Sequence, residues 1–109
     1  VLQSSGMGHH TIVLAQFTAK PSSRQYSDYE TVENAMDGVC QMYEQRLKQL
    51  NPNRRKITYD ISDLFDFVDK LPDLSALAFD PKIMAYVPHD KKWIKDKVFT
   101  HLKKQAAQC

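Results

Sequence analysis

Glycine occurs only three times in the 109 residues and cysteine only twice. With so few glycines no phosphate-cradling loop can be assembled, because such loops need glycine wherever backbone must approach a phosphate closely. The cysteines, Cys40 and Cys109, stand mid-chain and at the last residue. That placement argues against a disulfide framework and fits a reducing, intracellular compartment. No apolar run approaches the ~20 residues that cross a bilayer, so no membrane association is expected. Strong charge is missing too. A net charge of +2 is too mild to attract nucleic acid unless the basic residues cluster.

What is present suits one modest globular domain: 42% hydrophobic and 26% charged residues leave disorder expected only at the ends. Val1 to Gly6 lack the basic start and apolar stretch of a signal peptide. They read as an expression-tag scar before Met7, with a single domain over 7–109 whose tail frays from Gln105.

Thr11 to Phe17 is apolar and rich in β-branched and aromatic residues, which predicts a strand. Ile12 and Leu14 point one way, Val13, Ala15 and Phe17 the other. Both faces are thus apolar. In an α+β domain of this size helices cover one sheet face, leaving the second too greasy to remain wet. Arg24 to Tyr26 reads as a short second strand. Ser27 and Glu30 form a capping-box pattern that predicts a helix start, and Tyr29, Val32, Met36, Val39, Tyr43, Leu47 and Leu50 continue as its apolar stripe. Asn51-Pro52-Asn53 ends that helix. Asp60 and Asp63 open a second helix with Ile61, Leu64, Phe65, Val68 and Leu71 inward, closed by Pro72. Leu74 to Phe79 reads as a strand, Asp80-Pro81 as a turn, and Met84 to Val87 as a weaker strand. A last helix from about Asp90 carries Trp93, Ile94, Val98 and Leu102 inward and lysines outward. This order predicts an α+β fold, an antiparallel sheet with three amphipathic helices on one face.

Chemistry is hard to find along the chain. His9 and His10 are adjacent, so a strand sends them to opposite faces, and no ligand partner lies at metal spacing. His89 and His101 stand alone. Cys40 lies near an apolar stripe and reads as a small buried hydrophobe, not a nucleophile with a base and oxyanion hole. Asp60, Asp63, Asp66, Asp69 and Asp73 lack the turning glycine and closing glutamate of a calcium loop, and read as a solvated helix face. No metal and no cofactor is expected. Arg54, Arg55 and Lys56, and the lysines of the last helix, could touch RNA, but no aromatic residues are interleaved as stacking platforms. Ser27-Asp28-Tyr29-Glu30 also fits an acidophilic kinase site, where added phosphate would be tolerated at a helix start.

Several motifs add up to a resemblance. His10-Thr11-Ile12-Val13-Leu14, Tyr26-Ser27-Asp28-Tyr29-Glu30 and Gly38-Val39-Cys40-Gln41-Met42-Tyr43-Glu44 resemble the enhancer-of-rudimentary homologues. So do Asn51-Pro52-Asn53, the highly specific Ile57-Thr58-Tyr59-Asp60-Ile61-Ser62-Asp63-Leu64-Phe65-Asp66-Phe67, and Trp93-Ile94-Lys95-Asp96-Lys97, in the family's order from His10 to about Gln105.

The resemblance implies a four-stranded antiparallel sheet, three helices on one side, and a homodimer through the other sheet face. It also implies no catalytic activity. The implied role is that of an adaptor docking short segments of RNA-processing proteins, in mRNA decay or small-RNA maturation, with RNA reached through those partners. Nuclear residence, with cytoplasm as a second compartment, goes with it. Ile12, Leu14, Leu77 and Phe79 are the expected dimer residues. Tyr59 and Phe67 are candidates for partner binding, and Arg54, Arg55 and Lys56 for RNA contact. Gln25 and Thr31 stand where relatives often carry proposed kinase sites, and Asn34 replaces the acid after Thr31. Regulation there is not expected. Direct RNA binding, or a cryptic enzyme of nucleotide metabolism, are the rival readings.

Overall fold

The structure is a computed structural model, and the residues described are 9–56 and 58–108, without the side chain of Gln108. The elements are β1 (Thr11–Gln16), a 3-10 turn (Pro21–Ser23), β2 (Arg24–Tyr29), α1 (Val32–Leu50), α2 (Ile61–Lys70), β3 (Asp73–Asp80), β4 (Ala85–His89) and α3 (Lys91–Gln108). The strands form one antiparallel sheet in the order β2-β1-β3-β4. This is the expected α+β class with four strands and three helices. The tag reading of Val1 to Gly6 lies outside the described residues.

The sheet face carrying Val13, Ala15, Leu74 and Ala76 is fully buried beneath the helices. Alanines at 15, 76 and 78 keep that surface low. Met36 and Val39 of α1, Leu64 and Val68 of α2, and Ile94 and Val98 of α3 complete the core. Among the described residues there is one helical layer. The molecule is accordingly thin, 47 × 40 × 22 Å, and its radius of gyration of 14.9 Å exceeds the roughly 13 Å of a compact domain this long.

The capping-box reading of Ser27 and Glu30 is corrected. β2 runs on to Tyr29, with Ser27 paired to Val13 and Tyr29 to Thr11, so the sheet claims the backbone that a helix start would need. Thr31 is the N-cap instead: its Oγ1 accepts a hydrogen bond from the Asn34 N–H at 3.0 Å. Tyr29 therefore leaves the helical stripe and packs as a strand residue against α1. The other end of that stripe also departs from expectation, since Leu50 is 65% exposed. Asp60 and Asp63 do open α2, the Asp60 N–H donating to Asp63 Oδ2 at 3.2 Å. Asp90 caps α3 through the Trp93 N–H at 3.0 Å, and α3 continues through the tail expected to fray, to Gln108. A 2.6 Å hydrogen bond between Asp37 Oδ1 and His101 Nε2 clamps α1 to α3.

Candidate functional site

On the sheet's other face the register brings unlike parts of the chain together. Ile12 lies between Asp28 and Leu77, and Leu14 between Tyr26 and Ser75. Leu77 is in turn opposite Pro88, and Phe79 opposite Tyr86. Among the described residues no helix covers this side. Tyr26 is 69% exposed, Leu77 41% and Tyr86 42%, while Ile12, Leu14 and Phe79 are half-buried by their neighbours. All four residues expected at a dimer contact thus share one continuous surface. A flat apolar patch on a pleated sheet suits a second sheet packed about 10 Å away.

The patch is bounded by polar groups. Arg24 Nε–H donates to Gln16 Oε1 at 2.8 Å. At the opposite end His10 bridges three strands: Nε2 lies 2.9 Å from Asp28 Oδ1 and Nδ1 lies 2.6 Å from the Tyr86 hydroxyl. A neutral imidazole satisfies both, donating to the carboxylate and accepting from the phenol. The Asp28–His10–Tyr86 connectivity resembles an acid–base relay. It stands on an open surface, with Asp28 at 75% side-chain exposure, and among the described residues no cavity encloses it to hold a substrate against it. Its evident work is to tie β2, β1 and β4 across one end of the face. From sequence His10 reads as a strand residue with no metal partner at ligand spacing, which gives no hint of this bridge. Tyr26 and Tyr86 were not singled out from the sequence, although alternation from Ile12 through the strand register reaches both.

The other candidates lie elsewhere. Tyr59 donates its hydroxyl to Glu44 Oε2 at 2.7 Å and meets Tyr43 edge-on at 5.0 Å. Phe67 packs on the same Tyr43 at 5.1 Å. Burial and the Glu44 carboxylate push the Tyr59 phenol upward, so it stays a hydrogen-bond donor. The pair binds the α1–α2 connection and α2 to the second half of α1. Arg54, Arg55 and Lys56 are exposed in that connection, far along the chain from the α3 lysines. Trp93 is half-buried, stacked on His89 at 3.8 Å and 10°.

Cys40 is buried. Burial first, then the carboxylates of Glu44 and Asp37, pushes its thiol up to about 11. At neutral pH the thiol keeps its proton, as a small core hydrophobe does. Among the described residues no three His, Cys, Asp or Glu side chains are grouped to hold a metal, and no helix is long and apolar enough to cross a membrane.

Comparison with known proteins gives this surface a setting. The family model described as Enhancer of rudimentary matches residues 7–108. The chain is 57% identical over 97 residues to an Enhancer of rudimentary homolog of Dictyostelium discoideum, covering 89% of this chain and 97% of the relative. An Arabidopsis thaliana homolog is 50% identical over 97 residues, 89% of each chain. Enhancer of rudimentary homolog 1 of Schizosaccharomyces pombe is 29% identical over 85 residues, 78% of each.

Proposed function

This chain belongs to the enhancer of rudimentary family, and on that premise we propose that it is a non-catalytic homodimeric adaptor that docks short segments of RNA-processing proteins. Its setting would be mRNA decay or small-RNA maturation, in the nucleus or in both nucleus and cytoplasm. RNA is reached through the partners.

The observation that carries this reading is the uncovered apolar face of the sheet, where Ile12, Leu14, Leu77 and Tyr26 stand in adjacent register. Burying such side chains contributes roughly 1.5–3 kcal/mol each, and a two-fold axis uses every residue twice. A two-fold dimer also presents two equivalent docking sites, so it gains avidity from partners that are themselves linked. Short segments that order on binding suit such a scaffold.

The test is affinity purification of the tagged protein from its own cells, beside an Ile12→Arg/Leu14→Arg variant, with nuclease treatment and mass spectrometry. RNA-processing proteins should co-purify in stoichiometric amounts with the wild type, and fewer with the variant. If no protein partner survives nuclease, the adaptor reading fails. Direct RNA binding through Arg54, Arg55, Lys56 and the α3 lysines would then lead, with a steep fall of affinity with salt as its signature.

A further inference from the structure

The helical layer meets the edge strand β4 at its end, where Trp93 stacks on His89. Between the first turns of α1, one face of α3 and the β3–β4 hairpin lies a cleft of about 460 Å³, within the range of ligand sites. Val32, Met36, Ala78 and Val87 make its floor apolar. Its long wall is one stripe of α3: Trp93, Lys97, Thr100, His101 and Lys104, spaced as one face of a helix. Lys82 reaches in from the hairpin.

We infer that this cleft is where partner segments dock, and that it selects acidic segments carrying an apolar anchor residue. The inference rests on the adaptor reading and supplies its missing site. Charge argues for acidity. α3 holds six lysines and one aspartate in a chain whose total is +2, so the remainder is net acidic and the positive potential gathers along this helix. Among the described residues no carboxylate lies within 4.0 Å of the ammonium groups of Lys82, Lys97 or Lys104. The two acids on the rim do not neutralise them: Asp80 Oδ1 accepts the Lys82 backbone N–H at 2.9 Å inside the hairpin, and Glu33 stands on the opposite wall in the first turn of α1. His89 is held below the ordinary imidazole range by burial and then by Lys97, so at neutral pH it is a hydrogen-bonding group.

The same wall argues for a peptide over a nucleic acid. Single strands are held by open aromatic faces on which bases stack. Here one face of Trp93 is taken by His89 and Lys97 sits 5.6 Å from its ring. What the cleft offers is an apolar floor deep enough for a side chain, with cations at the rim for the flanking carboxylates.

A degenerate peptide array with one central aliphatic or aromatic residue and randomised flanks, probed with the full chain, tests this directly. Asp and Glu should be enriched beside the anchor; no enrichment, or enrichment of Lys and Arg, overturns the inference. The best peptide is then titrated against Lys97→Glu/Lys104→Glu and against Arg46→Glu/Lys48→Glu, which makes the same change in net charge on exposed α1 positions outside the cleft. The first variant should bind at least about tenfold more weakly and the second within about twofold of wild type. Equal loss in both reduces the effect to net charge and overturns the site. Competition by single-stranded RNA that the cleft variant also loses would make it a nucleic-acid surface and overturn the peptide assignment. Cellular partners still recovered by the cleft variant would reject the cleft while leaving the adaptor reading intact; no partner recovered even by the wild type would reject the adaptor reading.

Discussion

The two faces of one sheet are built from the same kind of residue and meet opposite fates. Val13 and Ala15 are sealed beneath the helices, whereas Ile12 and Leu14, one residue away, look out beside Tyr26 and Leu77. Hydrophobicity alone therefore does not say what a residue is for. On the covered face it holds the chain together; on the open face it is free to hold something else.

The comparison breaks first at Val13. Val13→Asp places an unpaired carboxylate in the core, and we expect a loss of more than about 4 kcal/mol, read as the absence of a cooperative melt by circular dichroism. A native-like melt would mean the covered face is misassigned. Next is the open face. If it is the proposed dimer contact, Ile12→Arg/Leu14→Arg should keep the far-UV circular dichroism spectrum while lowering the melt through lost association, and should weaken self-association by about four orders of magnitude, giving monomers in sedimentation. A clean dimer would remove these residues from the interface.

Alkaline titration sharpens the contrast, because the covered side holds the buried thiol of Cys40. Cys40 binds its proton more tightly folded than unfolded, with its value raised from 9.0 to about 11. Its contribution is therefore complete below pH 9 and lost as pH rises through about 11. About 1–2 kcal/mol should separate wild type from Cys40→Ala across that window in denaturant titrations, and parallel curves would refute it. Gly38 leaves the space that the Tyr29 ring occupies: a Cβ there would overlap the Tyr29 hydroxyl and ring. Gly38→Ala should lose about 1–2 kcal/mol despite its better helix propensity; a gain would show that Tyr29 moves aside freely. The smallest effect lies at the hairpin tip. Met84 has φ 54°, a left-handed conformation that L side chains adopt at a penalty. Met84→Gly should raise stability by about 0.5 kcal/mol after the added chain entropy of glycine, measured by thermal melt.

The elements and their order were legible in the chain because alternation and helical periodicity are local. The boundary between β2 and α1 was not. Ser27-x-x-Glu30 and Thr31 with Asn34 are both plausible starts, and the choice falls to β1, whose pairing as far as Thr11–Tyr29 takes the backbone of the first candidate. The open face was half legible. Ile12 and Leu14 follow from alternation within one strand, whereas Tyr26 and Tyr86 join them only through pairing between strands distant in sequence. The cleft was not legible at all, since its walls come from three separate parts of the chain.

The sequence by itself determined the α+β class, the doubly apolar first strand and the family. Each is written in residues a few positions apart, or in whole motifs. Tertiary structure alone decided which apolar face the helices cover, which of two caps begins α1, and where the α3 lysines find an apolar floor. Those outcomes depend on which distant segment reaches a backbone or a side chain, and short-range pattern carries no record of that.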